Sequence, residues 1–323
     1  MPERIAVSVD LGGTFIKAGA IDERGKILHE IRAETRASEG VDAVLWKIAT
    51  VAESVMKHLV IAPEDVVGLG IGCPGLTNTD TGTVHFAPNM PGWNEIELGP
   101  RLSDKLRMPI VVENDANAAA WGEYWMGSGK GASSVVLFTL GTGIGGGIVL
   151  NGEIWHGFTD TAAELGHMIV EADGEPCGCG NRGCLEAYSS VTGIRRRAAK
   201  AIDEGKQSVL ETYLRNGELS GEQVYTCALS GDLLAARLMR EAGYYLGVAA
   251  VSIIHILNPQ RVLFAGGLAA ASDMIMSPIL EVTRTRTLPV PRAKASVALA
   301  SLGEKAGLIG AAGCVFHKYA TSA

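Results

Sequence analysis

Residues 5–22, IAVSVDLGGTFIKAGAID, and residues 134–151, SVVLFTLGTGIGGGIVLN, read as two copies of one unit. Each is an alternating strand, a glycine-rich turn and a second strand, the pattern of a hairpin. Each copy opens an otherwise α/β segment, so the chain reads as two halves on one plan. Backbone N–H groups exposed in the turns at 10–14 (DLGGT) and 140–143 (LGTG) form anion-binding concavities, and the threonine hydroxyls add donors. Asp10, on the strand beside the first turn, can hold Mg²⁺ through water. An ordinary tight turn explains either hairpin alone. Two alike, opening successive halves, favour phosphate.

Dinucleotide fingerprints are excluded. The G-x-G-x-x-G at Gly70, Gly72 and Gly75 encloses Pro74 and runs into a loop, and the one at Gly141, Gly143 and Gly146 runs into a strand rather than a helix. No P-loop exists either, because the Gly-Lys pairs beginning at 25, 129 and 205 lack the following Ser or Thr.

Outward from the first hairpin, strands at 5–10, 16–21 and 27–31 make an antiparallel meander. A helix over 41–59 follows, with apolar residues at three- and four-residue steps. Then come a buried strand VVGLGIG, a loop-rich passage over 73–99, a short helix near 98–107, a strand at 109–112 and a helix at 116–125. After a Gly/Ser/Lys break at 127–131 the hairpin pattern returns. Residues 187–260 read as helices, the last over 239–257, stopped by Asn258-Pro259. A strand, RVLFAGG, and a helix at 305–317 complete the pattern. The expected domains are 1–126 plus a C-terminal helix 308–323, and 127–307.

The chain has 323 residues, 47% of them hydrophobic, which is ample for real cores. Its formal charge of −7 argues against a nucleic-acid binder, which needs a basic patch. The first residues enter a strand instead of a signal peptide, and the longest uncharged apolar run, 242–257, is shorter than the ~20 residues of a membrane span. A cytoplasmic protein without membrane contact is expected. In that setting clustered cysteines lean toward metal or catalysis, not disulfides.

Three of the six cysteines lie in GHMIVEADGEPCGCGNRGCLE, residues 166–186. His167, Cys177, Cys179 and Cys184 give H-x9-C-x-C-x4-C, a full tetrahedral donor set for structural zinc, though not at zinc-ribbon spacing. C-G-C is not a redox C-x-x-C, and a nucleophilic cysteine lacks a partner if His167 binds metal. Asp115, where a strand ends and an Ala-rich helix begins, has two readings: a helix N-cap, or the base that a phosphoryl acceptor requires. Asn114 beside it and the loop NMPGW at 89–93 favour a polar sugar pocket.

The segments DLGGTFIKAG, GIGCPG, NMPGW, ENDANAAAWGE, TLGTGIGGG, ELGHM, CGCGNRGCLE and FAGG resemble, in order and spacing, the ROK (repressor, open reading frame, kinase) family. The likeness is nearest to its bacterial ATP-dependent glucokinases. It implies an α/β fold of two ribonuclease-H-like domains, of the actin/hexokinase/hsp70 type, around a nucleotide cleft, with a zinc-binding loop. The smaller domain would carry the first phosphate loop and part of the sugar site; the larger, the second phosphate loop, the zinc loop and the adenosine segment.

The implied reaction is transfer of the ATP γ-phosphate to the 6-hydroxyl of glucose, with Asp115 as general base. Another hexose or N-acetylmannosamine is the alternative acceptor, and polyphosphate the alternative donor. Asn89, Asn114, Asp115, Glu164, His167 and Glu186 would hold the sugar. Gly12, Gly13, Thr14, Thr142 and Gly143 would hold phosphates, Asp10 would serve Mg²⁺, and Gly266 and Gly267 would approach the adenosine. His167, Cys177, Cys179 and Cys184 would bind zinc. The family also implies a homodimer or homotetramer. Its repressors carry an added DNA-binding domain, for which the first strand, starting near residue 4, leaves no room.

Overall fold

The structure, a computed structural model, describes residues 4–270 and 273–320. In chain order the first elements are β1 (Ile5–Leu11), β2 (Phe15–Asp22), β3 (Ile27–Glu34), α1 (Val41–Leu59), β4 (Val66–Cys73), β5 (Leu76–Asn78), β6 (Thr83–Phe86) and β7 (Asn94–Ile96). Next come α2 (Leu98–Leu106), β8 (Ile110–Asn114), α3 (Asp115–Met126), β9 (Ser134–Leu140), β10 (Ile144–Leu150) and β11 (Glu153–Ile154). A helical run follows: α4 (Leu185–Ser189), α5 (Val191–Asp203), α6 (Leu210–Arg215), α7 (Gly221–Leu229) and α8 (Leu233–Leu257). The chain closes with β12 (Arg261–Ala265), α9 (Gly267–Ala270), α10 (Asp273–Arg286), α11 (Pro289–Arg292), β13 (Ser296–Leu299) and α12 (Ala306–Ala320).

The chain separates into two compact units. The first holds the residues up to Ala132, Gly147–Ala163 and those from Ser301 onward; the second holds Ser133–Gly146 and Glu164–Ala300. Residues 321–323 of the expected C-terminal helix lie outside the described residues. Among the described residues no helix is long and apolar enough to cross a membrane.

The first unit is built on a sheet in the order β3-β2-β1-β4-β8. β1, β2 and β3 form the antiparallel meander, while β4 pairs parallel with both β1 and β8. Alternate residues of a strand face opposite sides. Val7, Val9, Leu11, Leu69 and Ile71 therefore share one face, buried in the same core as Val44, Ile48 and Val55 of α1. The glycines of β4 face the other way, where Gly68 meets Val315 and Gly70 meets Ala311 of α12.

On that side α12 and α3 cross at backbone contact. A Cβ on Gly310 would stand 1.6 Å from the carbonyl oxygen of Ala118, and one on Gly122 would stand 2.4 Å from that of Ala306. Neither helix can yield without moving its backbone. Gly310→Ala is therefore expected to lower the unfolding free energy by about 3 kcal/mol, the upper range for overpacking. The urea midpoint measures this, and an unchanged midpoint would contradict so close a contact. Glu123, fully buried near the end of α3, accepts the backbone N–H groups of Ser128 (2.8 Å), Ser301 (3.1 Å) and Leu302 (2.7 Å). It fastens α3 to the segment leading into α12.

The passage over 73–99, expected to be loop-rich, also carries a small antiparallel sheet, β5-β6-β7. Its strands have three or four residues, too few to show a period, and Trp93 is buried beside them. The second unit takes β9, β12 and β13 from the sheet β11-β10-β9-β12-β13, with β12 parallel to both neighbours and Phe138 stacked on Phe264. α8 starts six residues before the expected 239, with Asp232 as its cap, and ends with Asn258 in the left-handed conformation. α10 and β13 add to the elements read from sequence. Pro278 inside α10 disguises a helix whose Ile275, Met276, Ile279 and Val282 are buried at helical spacing.

Candidate active site

Within the first unit, the turn after β1 closes by the Gly12 N–H donating to the carbonyl of Phe15 at 3.0 Å. The Thr35 hydroxyl donates to the Gly12 carbonyl at 2.6 Å. A Cβ on Gly13 would lie 3.6 Å from the Asn89 carbonyl oxygen, so the first glycine turn and the Asn89 loop are neighbours. Thr14 is exposed at the turn's tip. Asp10 lies opposite Lys17 across the β1–β2 ladder. Burial pushes its carboxyl up; Lys17 pulls against this and Glu304 adds to it. Lys17 donates to the Glu304 carboxylate at 3.1 Å and to its carbonyl at 3.2 Å, so its ammonium is held at the entrance to α12.

β8 delivers Asn114 and Asp115 to the strand-to-helix turn. Asn114 is the cap: its Oδ1 accepts from Ala116 N (2.9 Å) and Asn117 N (3.1 Å), and its Nδ2 donates to the Gly75 carbonyl (3.0 Å). Asp115 is the first helical residue, its Oδ1 accepting the Ala116 N–H at 2.8 Å. The cap reading of Asp115 is therefore corrected: capping falls to Asn114. Sequence reasoning assigned no role to Glu113, a buried carboxylate one position earlier, next to Asn114 in the same strand. Its partner His156 follows β11 and gave no local signal.

Within the second unit, the turn 141–143 between β9 and β10 is braced by the start of α5. The carbonyls of Gly141 and Thr142 accept the N–H groups of Val191 (3.0 Å) and Thr192 (3.2 Å). The positive end of the helix thus takes the loop's oxygens. Glu186, in the first turn of α4, accepts the Ile144 N–H through Oε2 at 2.9 Å. That carboxylate would stand 2.5 Å from a Cβ on Gly143, so a side chain there would have to displace Glu186 from this bond. Gly266 has φ +94°, and a Cβ there would meet the Leu140 carbonyl at 2.2 Å. The segment before α9 can lie on the second turn only as glycine, and Gly267 begins that helix.

The donor atoms of His167, Cys177, Cys179 and Cys184 all lie within 4.8 Å of one another. Cys179 Sγ and Cys184 Sγ are 3.8 Å apart, as are Cys177 Sγ and His167 Nδ1. A tetrahedron with metal–sulfur distances of ~2.3 Å has edges of about 3.8 Å. The set therefore fits one tetrahedral cation and closes its coordination. Burial pushes the Cys184 thiol up to about 12, with Cys179 and Cys177 adding to it, so without a cation this sulfur stays protonated. His167 turns Nδ1 to the cluster, and its Nε2 faces Glu164 at 3.9 Å. Glu164 is pushed up by burial, lowered by His167 and raised by Glu186. Glu186 Oε1 lies 3.9 Å from Cys177 Sγ. The structure thus gathers Glu164, His167 and Glu186 around the cysteine cluster, and Asn89, Asn114 and Asp115 remain with the first unit.

Two α/β units, each entered through a strand, a glycine turn and a second strand, define a kinase fold of the actin/hexokinase type. The chain belongs to the ROK family, whose model matches residues 6–318. It is similar to a glucokinase of Halalkalibacterium halodurans, 37% identical over 96% of this chain and 94% of the relative. Among solved structures it resembles the ROK hexokinase of Thermus thermophilus, with TM-score 0.85, 30% identity and coverage of 98% of this chain and 100% of that one. It also resembles a ROK family glucokinase from Streptomyces griseus in complex with glucose and AMPPNP, with TM-score 0.78, 34% identity and coverage of 95% and 98%.

Proposed function

We infer that the protein is an ATP-dependent glucokinase that transfers the γ-phosphate to the 6-hydroxyl of glucose. The observation that carries this is likeness along nearly the whole chain to glucokinases, one of them solved with glucose and an ATP analogue. The chemistry fits: phosphoryl transfer asks for positioning and charge neutralisation plus a base at the acceptor. Asp115 takes the 6-hydroxyl proton as that oxygen attacks the γ-phosphorus, and the bond from phosphorus to the leaving ADP oxygen breaks. Asn114, whose cap bonds fix its orientation, presents its second Nδ2 hydrogen to the sugar, and Asn89 contributes from the loop beside the first glycine turn. Glu164, His167 and Glu186 take further hydroxyls.

Gly12, Gly13, Thr14, Thr142 and Gly143 hold the phosphates through backbone N–H and hydroxyl donors, and Gly266 and Gly267 allow the adenosine to approach. Asp10 would hold Mg²⁺, which would supply charge neutralisation at the transferring phosphates. The ion at the four-ligand cluster is structural zinc. His167, Cys177, Cys179 and Cys184 would hold it with no open position for water, and the His167 ring would be fixed between the cluster and the sugar.

The test is a coupled ADP-release assay over a panel of hexoses and N-acetylmannosamine with Mg-ATP or polyphosphate. Glucose with ATP is expected to give the highest kcat/KM. A higher value for another acceptor or donor overturns the substrate assignment, and no sugar-dependent ADP release overturns the kinase.

A further inference from the structure

We propose that Glu113 and His156 form a positioning pair that holds the Asn114–Asp115 turn, and through it the base carboxylate, in its productive orientation. The proposal rests on the reading of Asp115 as the base. Glu113 is 4% exposed, and its carboxylate meets donors of this turn and of His156. Oε1 accepts the Asn114 N–H at 2.9 Å and the Asn117 Nδ2–H at 3.1 Å; Oε2 meets His156 Nε2 at 2.8 Å. Asn114 precedes Asp115 and Asn117 follows it by two, so one carboxylate grips the backbone before the base and the helix just after it. A buried carboxylate is tolerable only while its acceptor sites are filled, best by a charged donor.

His156 supplies that donor from a pinned backbone. Trp155 N donates to the Ile148 carbonyl at 2.8 Å, and Ala162 N donates to the His156 carbonyl at 3.0 Å. The ring's side chain is 26% exposed, so it exchanges protons with solvent where Glu113 does not. Burial alone would lower the ring. The hydrogen bond and charge of Glu113, with Asp160 on the same loop and Asp80 from the β5–β6 turn, outweigh burial and raise it. The buried Cys314 thiol of α12 is pushed up by burial and then by the charge of Glu113, and is hence neutral.

A histidine raised on folding keeps its full contribution below its ordinary value near ~6.5, and loses it as pH climbs through the raised value. The pair is therefore strongest in mild acid and weakens on the alkaline side. Neutral imidazole retains one N–H, so the weakening is partial.

The experiment compares wild type, His156→Ala, His156→Gln and Asp115→Asn in the glucose assay between mildly acidic and alkaline pH. His156→Ala is expected to lose about 10²-fold in kcat, the size of effect that misplacing a reacting group produces, with glucose KM nearly unchanged. His156→Gln, which keeps a neutral donor, restores most of kcat and lacks the alkaline decline of the wild type. A His156→Ala enzyme with wild-type kcat overturns the pair, as does a His156→Gln enzyme that retains the alkaline limb. Hydrogen exchange at the Ala116 and Asn117 amides, faster in His156→Ala, reads the brace independently of turnover, and unchanged exchange also overturns it. Retained turnover in Asp115→Asn instead refutes the base assignment, even where the exchange result shows that the brace exists.

Discussion

Asp115→Asn is expected to lower kcat by about 10²–10⁴-fold, the usual worth of a positioned general base, while the protein folds as before. Asparagine has the same shape, and its Oδ1 can accept the Ala116 N–H that Asp115 Oδ1 accepts at 2.8 Å. The cap on α3 is untouched, because Asn114 supplies it. The loss should therefore fall on kcat, with glucose KM shifted only a few-fold and the denaturation midpoint unmoved. Asp115→Ala also removes the bond to Ala116, so its comparison with Asn separates proton transfer from helix support. An asparagine enzyme within tenfold of the wild-type kcat would mean that another group takes the proton.

The second large effect is expected from the cysteine cluster. Purified protein should contain one zinc per chain, and Cys184→Ser should lose it together with glucose affinity. Three proposed sugar ligands flank the cluster: Glu164 faces His167, His167 is itself one of the four clustered donors, and Glu186 lies beside Cys177 while accepting the Ile144 N–H. Loss of the ion frees all three at once. Disturbing the supports of a metal-held site commonly costs 10–100-fold in affinity or activity, so glucose KM should rise by about that factor. KM for ATP should move less, since α5 braces the second glycine turn independently. Cys227→Ser, which changes a buried cysteine on α7, is the control. A zinc-free protein with an unchanged glucose KM would sink the scaffolding role.

Much of the fold and of the site is legible in the amino-acid sequence, for physical reasons that differ by element. The two hairpins declare themselves because strand alternation and turn chemistry are local, and α1 because its apolar face repeats over five turns. His167, Cys177, Cys179 and Cys184 are legible as a donor set, since chemistry so specific is rarely scattered by accident. α10 is hidden by Pro278, and β5, β6 and β7 by their shortness. The start of α8 is available in Asp232, whose carboxylate accepts the Ala235 N–H at 2.9 Å, but the apolar run draws attention six residues downstream. Partnerships across long stretches of chain leave no local trace. Glu113 with His156 spans 43 residues, and Glu123 with Ser301 spans 178.

The glycine crossing of α3 and α12 also has a meaning in time. The helix bearing Asp115 is translated early, yet the surface that seats it, Ala306–Ala320, emerges from the ribosome only after the second unit has been made. At bacterial-like synthesis rates of 5–20 residues per second, the interval from Ala132 to Ala306 is roughly 10–35 s. Throughout it Gly122 and the glycine face of β4 stand uncovered on the nascent chain. A polypeptide stalled before α12 therefore carries the helix that begins at Asp115 without the surface that seats it, and that seat arrives with the last helix.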